Sequence, residues 1–100
     1  MIDLKSEQLS LIKKILHRHV PERTIWVFGS RVDGTSKEYS DLDIAIIGTG
    51  PLPTKIFSNL KEDFAKSDLP FQVDVVDWNR ISPEFQKIIK KKYVALDVLF

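Results

Sequence analysis

Apolar residues recur along the chain with two different periods, and these periods separate helices from strands. Near the amino terminus they are three and four positions apart, which predicts an amphipathic helix with Ser6 as its cap and Pro21 just beyond its end. Two later segments have the same helical spacing. The predicted helices run from about Glu7 to His19, from about Thr54 to Lys66, and from Ser82-Pro83-Glu84 to about Lys92.

Short runs rich in β-branched and aromatic residues lie between the helices and predict strands. These runs are Thr24 to Phe28, Leu42 to Ile47, Phe71 to Asp77, and a short terminal strand within Val94 to Phe100. Strands that alternate with helices indicate a layered α/β (α+β) fold, and 100 residues are enough for a single domain, 1–100.

One motif joins the end of the first predicted strand to the start of the second. Gly29-Ser30 ends the first strand, ten residues follow, and Asp41 and Asp43 open the next one. Side chains of a strand alternate between its faces, so these two aspartates project from one side and can converge on one cation. Paired carboxylates without an adjacent basic residue favour a divalent cation such as Mg²⁺, with Mn²⁺ as a substitute.

Other residues of the motif suit a nucleotide. Glycine at a strand end lets the backbone approach a phosphate, and the Ser30 hydroxyl adds a donor. Arg31 follows directly and is predicted to meet the phosphates as a cation. Asp74 lies within a valine-rich strand, where an aspartate is costly to bury without a metal or a partner, so it is the candidate third metal ligand.

Each half of the motif also has a purely structural interpretation. Asp41 alone could cap a turn, and Gly29-Ser30 alone could be an ordinary strand exit. Their joint spacing, with Asp74 downstream, favours a metal and nucleotide site. Asp77 faces away from Asp74 on a regular strand, which predicts a turn-forming role instead.

Composition and charge narrow the classes of function. The net charge is +1, from 15 basic and 14 acidic residues, which argues against a dedicated nucleic-acid binder. No apolar run approaches the roughly 20 residues that a membrane span needs. The absence of cysteine, together with an amino terminus unlike a secretory signal, predicts a cytoplasmic protein.

The order of these motifs resembles that of the DNA polymerase beta type nucleotidyltransferase superfamily, and within it the minimal nucleotidyltransferases. Gly-Ser, ten residues, Asp-x-Asp and a later Val-Asp-Val carry the likeness, which covers nearly the whole chain. The resemblance implies a small mixed sheet flanked by helices. It also implies that Gly29 and Ser30 hold the triphosphate, that Asp41 and Asp43 bind two magnesium ions, and that Asp74 completes the metal site and helps to deprotonate the acceptor.

One departure from the family pattern follows Arg31. Many relatives have a second arginine two positions after the first and then glycine, whereas this chain has Asp33 before Gly34. An acidic residue therefore stands where a second cation for the phosphates would be expected.

The activity that the resemblance implies is transfer of AMP from ATP, or of the corresponding group from another nucleoside triphosphate, to a hydroxyl. Larger relatives carry a helical domain that holds the acceptor, so here the acceptor is expected on another protein. Minimal nucleotidyltransferases commonly pair with a helical HEPN toxin, as antitoxins that adenylylate or mask it. The alternative is a non-catalytic binding subunit. The apolar final segment, Tyr93 to Phe100, further predicts a homo-oligomer or a complex with another protein.

Overall fold

The structure, a computed structural model, describes residues 2–97, over which helices and strands alternate. The elements are α1 (Ser6–His19), β1 (Thr24–Phe28), α2 (Ser30–Asp33), β2 (Leu42–Ile47), α3 (Thr54–Lys66), β3 (Val73–Asp77), a 3₁₀ turn (Trp78–Arg80), α4 (Pro83–Lys91) and β4 (Val94–Leu96). Within this range no helix combines the length and apolar character needed to cross a membrane.

The predicted helices and strands are all present, but the predicted start of the first helix is wrong in one detail. Ser6 is the first helical residue and not the cap, because Lys5 occupies the cap position. The side-chain oxygen of Gln8 accepts a hydrogen bond from the Lys5 amide at 3.0 Å. Glutamine at this position reaches back over the first turn and satisfies an amide outside the helix.

The strands form one mixed sheet in the order β3-β2-β1-β4. β1 is antiparallel to both β2 and β4, whereas β2 and β3 run parallel. The prediction of a small mixed sheet flanked by helices is therefore confirmed. β4 confirms part of the predicted terminal strand, and residues 98–100 of that prediction lie outside the described range.

The two faces of the sheet are packed unequally. On one face, α1 and α3 cover a continuous apolar core. Its completely buried members are Ile12, Leu16, Ile25, Val27, Leu42, Ile44, Ile46 and Leu60. On the other face, Ile89 of α4 packs with Phe28 and Ala45 in a smaller cluster. Residues that alternate with the core positions on β2 and β3 therefore project onto the less covered face, and Asp43 and Asp74 are among them.

Candidate active site

Three carboxylates predicted from the sequence lie near the start of the parallel strand pair, close enough for Asp41 and Asp74 to act electrostatically on Asp43. Asp43 of β2 and Asp74 of β3 are register partners, so their side chains project side by side from the same face. Asp41 lies one residue before β2. Asp43 is half-buried, whereas Asp41 and Asp74 are exposed. The expectation that Asp74 is buried in its strand is wrong, because Asp74 lies at the start of β3 and its side chain is exposed there.

Asp43 carries the clearest electrostatic signature of the site. Its pKa is raised from the ordinary value of 3.8 to about 6, first by burial and then by the negative charges of Asp74 and Asp41. Burial and like charges both disfavour the ionised carboxylate. Holding three carboxylates together therefore opposes folding, and a cation bound to them would reverse this effect.

Gly29 lies directly against Asp43. The backbone of Gly29 has φ 82° and ψ −156°, a conformation that only glycine adopts readily. A β-carbon at this position would collide with Oδ2 of Asp43. The missing side chain therefore lets the backbone at the end of β1 touch the carboxylate face, which brings the predicted phosphate cradle and the predicted metal ligands into contact.

Ser30 begins the short helix α2 immediately after this glycine. The carbonyl oxygen of Gly29 accepts hydrogen bonds from the amides of Val32 and Asp33 at 3.0 and 3.1 Å. The first amides of a helical turn have no acceptor within the turn, so those around Ser30 are available to an anionic ligand. Ser30 is the first residue of this turn, and the role of its hydroxyl as a phosphate donor stays a prediction.

Arg31 is placed differently from the sequence expectation. It is 5% exposed, and its guanidinium donates to the carbonyl oxygens of Asp3 at 2.8 Å, Glu38 at 2.9 Å and Ser40 at 2.9 and 3.0 Å. Its central carbon also lies 4.1 Å from the centre of the Phe71 ring. These contacts argue against Arg31 as a phosphate ligand, because they engage all three guanidinium nitrogens. Arg31 instead holds the loop that leads into Asp41.

The acidic residue that departs from the family pattern has a local partner. The Asp33 carboxylate accepts hydrogen bonds from the amide and hydroxyl of Thr35, at 3.0 and 2.6 Å. These bonds, led by that from the Thr35 hydroxyl, lower the pKa of Asp33. Asp33 therefore closes the turn after α2, in the way that aspartates commonly stabilise turns.

Asp77 confirms the predicted turn-forming role. Its carboxylate is 2% exposed and accepts from the amides of Leu52 at 2.8 Å and Asn79 at 3.1 Å. Arg80 pairs with the same carboxylate at 3.3 Å. The two aspartates of β3 thus have separate surroundings, since Asp77 lies on the core face and Asp74 on the carboxylate face.

The donor set of the carboxylate face suits a divalent cation. Carboxylate oxygens are the ligands that Mg²⁺ and Mn²⁺ prefer, and the Asp43 carboxylate has a raised pKa beside two further carboxylates. Among residues 2–97, no three His, Cys, Asp or Glu side chains are already arranged to hold a metal ion. Asp41 and Asp74 are exposed, so their side chains have room to turn toward a cation on Asp43.

Comparison with known proteins assigns the family. The polymerase beta nucleotidyltransferase family matches residues 10–96, which include every residue of the carboxylate face and of the glycine turn. The chain belongs to this nucleotidyltransferase family. The recognition of the family from Gly29-Ser30, Asp41, Asp43 and Asp74 is thereby confirmed.

The names of individual relatives describe their activity more specifically than the family does. The chain is 50% identical, over 95% of its length and 83% of the relative's, to the probable protein adenylyltransferase MntA of Haemophilus influenzae. A crystal structure of a toxin-antitoxin with AMP-PNP superposes with a TM-score of 0.74 at 29% identity, covering 89% of this chain and 72% of that one. A crystal structure of a toxin-antitoxin MntA-HpeT variant superposes with a TM-score of 0.73 at 27% identity, again covering 89% of this chain and 72% of that one. In that variant, two aspartates two positions apart are replaced by glutamate.

The nucleotidyltransferase has supporting residues that sequence reasoning missed. Phe71 stacks against the Arg31 guanidinium, and the carbonyl oxygen of Asp3 accepts one of its hydrogen bonds. Asp3 and Phe71 lie far from Arg31 in sequence and carry no local signal of this role.

Proposed function

We propose that this chain transfers AMP from ATP to a hydroxyl group of a partner toxin protein and acts as its antitoxin. The observation that carries the proposal is the contact between Gly29 and Asp43, which joins a phosphate cradle to a carboxylate cluster. The relative MntA, named a probable protein adenylyltransferase, supports a protein as the acceptor. The toxin-antitoxin structures, one of them with AMP-PNP, support both the nucleotide and the type of partner.

The reaction assigns a role to each residue of the site. The backbone of Gly29 and the hydroxyl of Ser30 bind the β- and γ-phosphates, which leave as pyrophosphate. Asp41, Asp43 and Asp74 would hold two Mg²⁺ ions, for which Mn²⁺ can substitute. When bound, these ions neutralise charge on the attacking and leaving oxygens. Arg31 acts at a distance, because it positions the loop that carries Asp41.

The chemical step is a displacement at the α-phosphorus. The acceptor oxygen forms a bond to that phosphorus while the bond to the bridging oxygen of pyrophosphate breaks. The proton of the acceptor hydroxyl passes to the exposed carboxylate of Asp74. The protein contributes mainly position and electrostatics, since it forms no covalent bond with the transferred group.

The partner is proposed to be a helical protein of the HEPN type, and both proteins are proposed to work in the cytoplasm. A non-catalytic binding subunit is the competing function. The raised pKa of Asp43 favours the enzyme, because a subunit that only covers its partner gains nothing from three mutually repelling carboxylates. Self-association of the chain remains a prediction.

The test is transfer of label to the protein encoded by the adjacent gene. ATP labelled on the α-phosphate should label that protein in the presence of Mg²⁺, whereas ATP labelled on the γ-phosphate should not. Asp43→Asn should abolish labelling, and Asp33→Asn, which changes an exposed turn carboxylate, should preserve it. A partner that binds and is inhibited without acquiring label would establish the binding subunit instead.

A further inference from the structure

Helix α4 exposes one isoleucine among lysines. Ile88 is 60% exposed, although its neighbour Ile89 is buried against the sheet. Residues three and four positions apart are neighbours on a helix, so Lys91 and Lys92, at the end of α4, lie beside Ile88, and Lys87 precedes it. These four exposed residues are called the α4 surface below. A large aliphatic side chain on the outward side of a helix is a departure from the amphipathic pattern.

The lysines of α4 repel one another without a counterion. Residues 83–92 contain four lysines and one glutamate, in a chain whose net charge is only +1. None of these lysines forms an ion pair in the described part of the chain. Lys87 and Lys91 are four positions apart, where like charges destabilise a helix. The helix dipole favours Lys90 and Lys91 in the last turn, but it accounts for neither Lys87 nor Ile88.

The α4 surface borders the carboxylate face. The Phe85 ring packs edge-on against Phe28, the last residue of β1, with ring centres 5.9 Å apart. Ile88 is three positions after Phe85 and therefore lies on the same side of α4. Further along this side, Lys92 acts electrostatically on Asp33, at the end of α2. A molecule bound to Ile88 and its lysines would therefore lie next to the glycine turn and the carboxylates.

The composition of the α4 surface favours a protein segment over a nucleic acid. Nucleic-acid affinity comes mainly from cations on phosphates, to which an exposed isoleucine contributes nothing. The Asp43 and Asp74 carboxylates, on the face of the sheet that α4 covers, would also repel a phosphate backbone that crosses it. An acidic protein segment can place one apolar side chain on Ile88 and its carboxylates on the flanking lysines.

We infer that the α4 surface docks an acidic segment of the partner toxin, with an apolar side chain of that segment packed on Ile88. Docking there holds the partner beside the carboxylate face and raises the effective concentration of its acceptor hydroxyl. This inference rests on the proposed function for the identity of the partner. It adds the surface that binds the partner and the charge that the bound segment carries.

The experiment measures docking separately from catalysis. Binding to the protein encoded by the adjacent gene is measured by calorimetry without ATP, at low and at high salt. Ile88→Glu removes the apolar contact and adds a negative charge at an exposed position. Ile56→Glu is the matched control, because Ile56 is also exposed, by 37%, but lies on α3. Urea unfolding of each variant verifies that it is folded.

A second pair of variants tests the charges. Lys87→Glu combined with Lys91→Glu reverses two charges of the α4 surface. Lys14→Glu combined with Lys55→Glu is its control, because it reverses two exposed lysines on α1 and α3 and changes the net charge equally. A DNA duplex of random sequence is titrated in parallel with the protein partner.

Ile88→Glu and the Lys87/Lys91 variant should each weaken partner binding at least about tenfold at low salt, and both controls should bind like wild type. The deficit of the Lys87/Lys91 variant should shrink as salt rises. Wild-type affinity in both α4 variants would overturn the docking surface and leave the proposed function standing. Loss of duplex binding alone in the Lys87/Lys91 variant would also overturn it, by assigning the surface to nucleic acid. Docking that depends on Ile88, without label transfer by the wild-type protein, would uphold the surface and overturn the proposed reaction.

Discussion

Gly29 and Asp43 touch across the gap between β1 and β2, so closely that a β-carbon on residue 29 would overlap the Asp43 carboxylate. The antiparallel register explains the contact, because Asp43 pairs with Phe28, the residue before the glycine. A phosphate held by the Gly29 backbone would therefore lie next to a cation held by Asp43. The spacing of the motif along the chain has its physical basis in this pairing.

Gly29→Ala should disable the site for two separable reasons. The backbone conformation costs a residue with a β-carbon about 1–3 kcal/mol, and the new methyl group displaces the Asp43 carboxylate. Gly34→Ala is the control, since Gly34 also has a positive φ, of 87°, but no atom within 4 Å of an added β-carbon. Urea unfolding should show both variants destabilised, whereas AMP-PNP affinity should fall only in Gly29→Ala. Equal affinity in the two variants would contradict the role of the contact.

Asp43 should make the protein less stable as pH rises from about 4 to about 6. Its pKa is higher in the folded protein than the ordinary value of 3.8, so the folded state binds more protons in this interval and loses stability as they leave. Allowing for solvent screening of a half-buried group, the loss is on the order of 1–2 kcal/mol. Urea unfolding with a chelator at several pH values, for wild type and Asp43→Asn, should show the variant gaining relative stability over this interval.

Asp63 is a control for that measurement, because its pKa is lowered and its effect on stability should depend on pH in the opposite direction. The hydrogen bond from His19, at 2.8 Å, is the largest cause of its lowered pKa, so its contribution to stability is present above the ordinary pKa and is lost as pH falls. Asp63→Asn should therefore lose stability relative to wild type at neutral pH and converge with it in acid. A wild-type advantage over Asp43→Asn that grows with pH would refute the assigned pKa.

Arg31→Met should destabilise the fold and weaken the site indirectly. The change leaves the carbonyl oxygens of Asp3, Glu38 and Ser40 without their donor, at a cost of roughly 2–4 kcal/mol. Arg31→Lys keeps the positive charge but loses the planar guanidinium, so its stability should lie between those of wild type and Arg31→Met. Urea unfolding and AMP-PNP titration together test the role. Full stability combined with lost nucleotide affinity would show that Arg31 binds phosphate after all.

The two aspartates of β3 should separate catalysis from stability. Asp74→Asn should reduce AMP transfer at least about 100-fold and leave stability unchanged or slightly raised, because Asp74 is exposed on the carboxylate face and its charge repels Asp43. Asp77→Ala should cost roughly 2–3 kcal/mol, since the buried Leu52 amide loses its acceptor, while each folded molecule transfers AMP at a near-normal rate. Chemical denaturation and single-turnover transfer assays measure the two effects. A loss of stability in Asp74→Asn together with a loss of transfer by folded Asp77→Ala would contradict both assigned roles.

Much of the fold could be predicted because its local signals agree. Thr24–Phe28 and Leu42–Ile47 have strand bounds identical to those predicted, since β-branched and apolar residues are delimited there by loop residues. The shared face of Asp43 and Asp74 follows from the period of two once β2 and β3 are paired, whereas Asp41 lies one residue before β2 and its place in a metal site stays a prediction. The 3₁₀ turn Trp78–Arg80 was not predicted, because such short turns have little sequence pattern of their own.

The rest of the site depends on contacts between distant parts of the chain. The position of Arg31 after Ser30 suggested a phosphate ligand, but carbonyl groups of Asp3 and Glu38 and the ring of Phe71 determine its orientation. Asp74 is exposed although its strand is rich in valine, because a strand pattern does not reveal which parts of each face other elements cover. Long-range packing therefore decided the details that local chemistry left open.

The most direct test of the site is calorimetric titration of Mn²⁺ into the protein with AMP-PNP present. The wild-type protein should bind Mn²⁺, whereas Asp41→Asn and Asp43→Asn should each abolish tight binding without unfolding the protein. Ser30→Ala should retain Mn²⁺ binding and weaken AMP-PNP by about 1.5–3 kcal/mol, the value of one charge-assisted hydrogen bond. Unchanged Mn²⁺ affinity in both aspartate variants would contradict the assignment of this face as the metal and nucleotide site.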